Sequence, residues 1–297
     1  MIIFSFLILD FIISLLILVF SPLNAYLYEW YFFLICIACL LVVLIGIIIL
    51  FVAFLSIYLL PINMKKEAKC SRFDMALMKR ASEFMLQASN IRLHVRGLEK
   101  IDPDKKFLLI QNHLSNYDVI CTTWALRYFD ISYIFKSSLL KVPYLGQFMH
   151  KIKQLDIDRG NNRQGLDTII KAINQIKNGK RCVCVYPEGT RSKTHELAPF
   201  HAGTFKIALK AQCPIVVSTI TNSEAKKYHS IFRPTHIYID IVDVLEYDDI
   251  KDLSTEEISE KCHAMIEENQ KELDVLRDKP YMKRKKGNLN KVVFFEK

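Results

Sequence analysis

The first 64 residues contain no lysine and no arginine, and only two acids, Asp10 and Glu29. A water-facing surface needs charge, so this absence excludes an ordinary soluble domain at that end. Also missing from the 297 residues are a G-x-G-x-x-G turn, a P-loop, a G-x-S-x-G elbow and an H-E-x-x-H pair. Their absence argues against dinucleotide binding, nucleotide hydrolysis, serine hydrolysis and zinc proteolysis. There is no internal repeat and no long Gly/Ser linker. The eight cysteines form no disulfide framework. Cys36 and Cys39 lie inside an apolar run, with neither a second pair nor a nearby histidine, so they read as thiols of an apolar helix. All eight read as reduced, which suits a cytosolic catalytic part.

What is present divides sharply. The formal net charge is +9; removing the −2 of residues 1–64 leaves roughly +11 on the remainder. A basic body of this kind favours anionic lipids, phosphorylated substrates or acidic carriers. It carries no recognised nucleic-acid module, so no nucleic-acid partner is expected. Residues 2–20 are apolar apart from Ser5, Asp10 and Ser14, and as a helix would be roughly 28 Å long. Residues 31–60 are uncharged and would reach roughly 45 Å. Between them, SPLNAYLYEW has the Pro, Asn, Tyr and Trp expected of a hairpin tip. Lys65, Lys66, Lys69 and Arg72 follow at once, which places both the N-terminus and the C-terminal part in the cytoplasm. A cleaved signal peptide would want a basic leading region, which is lacking. A re-entrant pair that never crosses the bilayer is the other alternative. Asp10 in mid-helix costs about 2.5–3.5 kcal/mol on insertion scales, so it is expected to be protonated, paired within the hairpin or simply tolerated, with a functional proton site as the alternative. The expected division is a membrane hairpin at 1–64, an α/β domain at 65–278 and a basic tail at 279–297.

From residue 72 the periodicity changes. A helix is predicted over Arg72–Ala88, then a strand carrying Ile91, Leu93 and Val95 in period-2 alternation. FLLIQ at 107–111 has the length of a buried strand. A helix near Tyr117–Tyr128 and a short strand near Tyr133–Phe135 follow, with a break at Val142-Pro143. Residues 163–178 put Leu166, Ile169, Ile170, Ile173 and Ile176 on one helical face, stopped by Asn178-Gly179. CVCVY at 182–186 and PIVVS at 214–218 read as strands, with a helix near Gly203–Ala211 between them. An alternating strand at 235–245 and an amphipathic helix at 254–274 complete the series. Strands alternating with helices predict an α/β domain with a mostly parallel or mixed sheet flanked by helices.

Two segments could carry chemistry. In NHLSNYD, at 112–118, His113 stands just past a core strand and Asp118 near the start of the next helix. A turn there would let the carboxylate fix the tautomer of the imidazole and stabilise its cation. Taken alone, the spacing also fits a structural His–Asp cap. In YPEGTRS, at 186–192, Pro and Gly shape a turn at the end of a strand. Its amides and the Arg191 guanidinium suit a phosphate monoester. Glu188 is out of place beside a phosphate, unless it orients Arg191 or bonds a substrate hydroxyl.

Together these segments resemble the glycerolipid acyltransferase family, whose catalytic block is N-H-x-x-x-x-D. KSSLLKVPYLG at 136–146 with LDIDRG at 155–160, YPEGTRS, and APFHAGTFKIALKAQCPIVV at 198–217 resemble the family's second, third and fourth blocks, in order. The likeness covers about residues 90–220. It implies transfer of a fatty acyl group from acyl-CoA or acyl carrier protein to the sn-2 hydroxyl of 1-acyl-glycerol-3-phosphate (lysophosphatidic acid), giving phosphatidic acid. His113 would be the general base and Asp118 its orienting partner. Glu188, Gly189, Thr190 and Arg191 would bind the glycerol phosphate, with Arg159 and Lys136 adding positive charge. No metal and no cofactor beyond the thioester co-substrate are implied. The expected partners are the lipid bilayer, lysophosphatidic acid and the acyl donor, at the plasma membrane of a bacterial-type cell with the catalytic domain cytoplasmic. An acyltransferase or transacylase acting on another lysophospholipid, or a non-catalytic protein that binds anionic lipid, would use the same features.

Overall fold

Short apolar runs bounded by turn residues become the strands, and the segments of 3.6-residue periodicity become the helices that cover them. The structure, a computed structural model, describes residues 12–13, 30–64, 66–158, 160–179, 181–192, 194, 196–278 and 293–294. It divides into two units, Met1–Pro61 and Ile62–Lys297.

In the first unit helix α1 (Trp30–Leu59) runs for 30 residues without a charged side chain. Its stretch Cys36–Leu59 is long and apolar enough to cross a membrane. Leucines, isoleucines and valines are exposed along it, as hydrocarbon rather than water would require. Of the expected first run only Ile12 and Ile13 are described, both helical and exposed. Asp10 and the tip up to residue 29 lie outside the described residues. One apolar N-terminal helix is therefore described, and its pairing into a hairpin is not.

The second unit opens with α2 (Arg72–Ala88). Ser71 accepts from the Asp74 N–H and the Asp74 carboxylate accepts from the Ser71 N–H, a reciprocal cap that fixes the start of the helix. Then come β1 (Ile91–Arg96), β2 (Leu108–Gln111), α3 (Tyr117–Ala125), β3 (Ile131–Lys136), α4 (Leu145–Lys151) and β4 (Leu155–Ile157). They are followed by α5 (Asn162–Lys177), β5 (Cys182–Val185), α6 (Lys206–Ala211), β6 (Ile215–Thr221), β7 (Thr235–Leu245), α7 (Tyr247–Ile250), α8 (Thr255–Asp278) and β8 (Val293–Phe294). The strands form one sheet in the order β4-β3-β5-β2-β6-β7-β1-β8. Neighbours are parallel from β4 to β6; β7 is antiparallel to β6; β1 is parallel to β7 and to β8. The expected mixed α/β sheet is present.

Alternation along the strands sorts the core into two faces. Leu108, Ile110, Val183, Val185, Ile215 and Val217 pack with Ala172 and Ile176 of α5, Ile207 of α6 and Ile258 and Ile266 of α8. Leu109, Cys182, Cys184 and Val216 face the other way, beside Leu126. On that side Leu93, Val95, Ile237 and Ile239 meet Leu86 of α2 and Cys121 and Ala125 of α3.

Differences from expectation are local. The helix expected to reach Tyr128 ends at Ala125, and the one expected from Gly203 opens as a 3-10 turn at Ala202–Phe205. Strand β4 and helix α4 were not foreseen. Within the expected basic tail, Val293 and Phe294 pair with His94 and Val95; residues 279–292 and 295–297 lie outside the described residues.

Five adjacent parallel strands open their carboxyl ends on one edge, and the direction reverses between β6 and β7. In open α/β sheets that edge is where ligands bind.

Candidate active site

The Tyr117–Ala125 helix begins four residues after His113, so the chain must turn tightly on leaving β2. Asp118, in the first turn of α3, closes that turn. Its Oδ2 lies 2.7 Å from His113 Nδ1 and accepts the N–H groups of Leu114 at 2.7 Å and Ser115 at 2.8 Å. Its Oδ1 accepts from Ser115 Oγ at 3.2 Å and from Ser223 Oγ. The Asp118 side chain is wholly buried, while His113 keeps 18% exposure. A carboxylate held by five donors cannot swing away, so it dictates the imidazole's tautomer: Nδ1 donates, and Nε2 carries the lone pair. The ring also stacks on Tyr186, centroids 4.2 Å apart and planes 19° from parallel. One residue upstream, the Asn112 amide donates to Ile220 O at 2.9 Å and accepts from Ile220 N at 2.8 Å, tying the end of β2 to β6.

The second segment leaves β5, the neighbour of β2. Gly189 N–H closes a turn on Tyr186 O at 3.0 Å, and Gly189 adopts φ +70°, a left-handed conformation open to glycine at little cost. This turn points Glu188 inward. Its carboxylate accepts the His113 N–H at 2.7 Å and the Ala198 N–H at 3.1 Å. Burial pushes the Glu188 carboxyl up, opposed by these two bonds and by the His113 charge. Neither of these bonds is to Arg191, whose guanidinium turns to Asn116 instead. Glu188 braces the backbone of the NHLSNYD turn against the chain entering the fourth block.

Arg191 reaches back over the same turn, Nη1 donating to Asn116 Oδ1 at 3.0 Å, and the Ser192 N–H bonds His113 O at 2.8 Å. His113, Asp118, Glu188, Gly189 and Arg191 are thus brought together. Thr190 and Arg191 are exposed. Lys136 is exposed at the carboxyl end of β3, next to β5 on the same edge. Arg159 lies outside the described residues. Among the described residues no three His, Cys, Asp or Glu side chains converge as metal ligands would.

Three contributors carried no signal of their own role. Tyr186 and Asn116 sit inside the motifs, yet a stacking platform under the imidazole and a carbonyl facing the guanidinium depend on how two loops meet. Ser223 is 105 residues from its partner Asp118, and only the β2–β6 pairing brings it there. Burial pushes the thiols of Cys182 to about 11 and of Cys213 and Cys262 to about 12, and that of Cys184 higher still. These thiols are packing groups and not nucleophiles.

An acyltransferase family model matches residues 92–221, from β1 to the end of β6. A 1-acyl-sn-glycerol-3-phosphate acyltransferase of Salmonella typhimurium is 31% identical over 170 residues, covering 56% of this chain and 68% of that protein. A putative enzyme of the same name from Caenorhabditis elegans is 30% identical over 185 residues, covering 62% and 70%. The crystal structure of the 1-acyl-sn-glycerophosphate acyltransferase of Thermotoga maritima superposes with a TM-score of 0.57 at 20% identity, over 67% of this chain and 79% of that one, a likeness of fold. The matched span holds the whole His113–Arg191 edge, and the chain belongs to the glycerolipid acyltransferase family, as an enzyme that transfers acyl groups.

Proposed function

We propose that the chain acylates the sn-2 hydroxyl of 1-acyl-glycerol-3-phosphate from an acyl-CoA or acyl carrier protein thioester, releasing phosphatidic acid and a free thiol. The observation that carries this reading is the 2.7 Å His113–Asp118 pair beside a guanidinium at one sheet edge. His113 Nε2 takes the hydroxyl proton as the oxygen attacks the thioester carbonyl, a role worth typically about 10²–10⁴-fold. Asp118 stabilises the imidazolium. The tetrahedral intermediate collapses and the C–S bond breaks; the thiolate, with a pKa near 8.5, leaves without a strong acid and takes up the proton. No nucleophilic Ser or Cys and no further cofactor is needed.

Gly189, Thr190 and Arg191 hold the glycerol phosphate, with Lys136 and Arg159 supplying charge nearby, and Glu188 holds the frame. The N-terminal part, 1–64, serves as a hairpin anchor for the α/β domain of 65–278, with 279–297 as a basic tail on the same cytoplasmic face of a bacterial-type plasma membrane. The anchor has a physical rationale. Drawing an acyl chain into water costs about 0.8 kcal/mol per CH₂, so the chains stay in lipid while the headgroup enters the site.

Turnover on a grid of donors and lyso-lipids, read as free thiol, tests this. Lysophosphatidate is the expected preferred acceptor, with His113→Ala abolishing thiol release. Preference for a lysophospholipid with a larger headgroup would change the substrate; undiminished release by His113→Ala would remove the base.

A further inference from the structure

The segment between β6 and β7 holds three large apolar side chains in water: Tyr228 is 78%, Ile231 61% and Phe232 87% exposed. The segment is not slack. Lys226, itself buried, donates from Nζ to the carbonyls of His229 at 3.3 Å and Ser230 at 3.1 Å. His229 Nδ1 lies 2.9 Å from Thr235 Oγ1. Asn90 Nδ2 donates to Phe232 O at 3.3 Å, and the Thr235 N–H returns to Asn90 O at 3.0 Å. A loop tied at this many points that still presents two aromatics and an isoleucine outward is shaped for an apolar medium.

Its shoulders say which medium. Lys227 and Arg233 flank the three apolar residues and are exposed, and no acid occurs between residues 225 and 234. Aromatic and aliphatic side chains between cations match the boundary of a bilayer bearing anionic headgroups. Position agrees. Near the start of the same segment Ser223 bonds Asp118, so the apolar tip rises from the edge that holds the catalytic pair.

We propose that residues 227–233 form an interfacial wedge: Tyr228, Ile231 and Phe232 enter the acyl–headgroup boundary of an anionic bilayer, and Lys227 and Arg233 meet lipid phosphates. The wedge presses the site's rim onto the membrane independently of the N-terminal helix. The link to catalysis rests on the lipid-acylating function proposed above; the insertion itself does not.

The full chain is reconstituted in phosphatidylcholine–phosphatidylglycerol vesicles with or without brominated acyl chains, and tryptophan fluorescence is compared with the wild type, whose Trp30 and Trp124 give the common background. Phe232→Trp is expected to lose about half of its added signal to the brominated chains, as a side chain at the acyl boundary should. Asp104→Trp, in the exposed loop at the opposite, amino edge of β2, is expected to lose none. Equal quenching at both sites, or none at 232, overturns the wedge. A second arm uses Tyr228→Ser/Ile231→Ser/Phe232→Ser. Its KM for bilayer-presented lysophosphatidate should rise about tenfold, while turnover of a monomeric short-chain acceptor stays within about twofold. Equal losses on both acceptors overturn the proposal, as does a detergent-solubilised dimer that the triple variant dissolves, because the surface then serves a second copy. Quenching at 232 without any turnover would retain the wedge and refute the acyl-transfer reading; turnover without quenching would do the reverse.

Discussion

Asp118 is wholly buried and its carboxylate accepts from five donors, whereas Thr190, Arg191 and Lys136, at the same sheet edge, stand exposed. Under the proposed function, the comparison teaches a division of labour. Orienting a proton acceptor requires fixed geometry before substrate arrives, and a stacked, doubly anchored imidazole supplies it. Gripping a phosphate tolerates motion, because charge acts over distance and an exposed guanidinium settles on its ligand when the ligand comes. Damage to the buried half should therefore appear in kcat, and damage to the exposed half in KM.

The sharpest way to break that contrast is Asp118→Asn. The amide would present N–H groups to donors that now face a carboxylate, and would favour the wrong imidazole tautomer. A fall in kcat of about 10²–10⁴-fold with little change in KM is expected; a pure KM effect would dissolve the distinction. Next comes Arg191→Lys, which keeps the charge and removes the planar fork. Here KM for the phosphate-bearing acceptor should rise about tenfold while kcat holds within about threefold, measured in the same assay. Ser223→Ala removes one support of the Asp118 carboxylate and leaves the others. A drop in kcat of about threefold to tenfold, restored by Ser223→Thr, would mark it as a positioning residue.

The smallest effect concerns Glu188. Burial raises its carboxyl above the ordinary 4.5, so the folded chain keeps this proton to higher pH than the unfolded chain. The stability it contributes is complete below about pH 4.5 and is lost as pH climbs through the raised value. Urea midpoints of wild type and the non-titrating Glu188→Gln, compared from pH 4 to 7, should show the wild type's margin shrinking as pH rises. A growing margin would mean that the bonds from His113 and Ala198 outweigh burial.

Much of this architecture could be read directly from residue order. The period-2 alternation of Ile91, Leu93 and Val95, the apolar run at 107–111, and the isoleucine face of 163–178 each encode an element locally. Strand β4 escaped because three residues, Leu155–Ile157, carry an acid in the middle and owe their strand form to pairing with Ile134–Lys136 of β3. Helix α4 escaped because it follows Pro143 and begins after Tyr144, at φ +61°, where the chain reverses. The His113–Asp118 pair was legible because six consecutive residues contain it. The bracing role of Glu188 was not, since its partners are backbone amides 75 and 10 residues away, and backbone leaves no mark in a string of side chains.

Asn112 has one further consequence. By exchanging two bonds with Ile220 as a peptide group would, its side chain prolongs the zipper between the two central strands to the very doorstep of the imidazole. Fraying, which loosens the last residues of most strands, is arrested one step before it could reach His113. The imidazole thus hangs from a loop yet inherits the stiffness of the sheet.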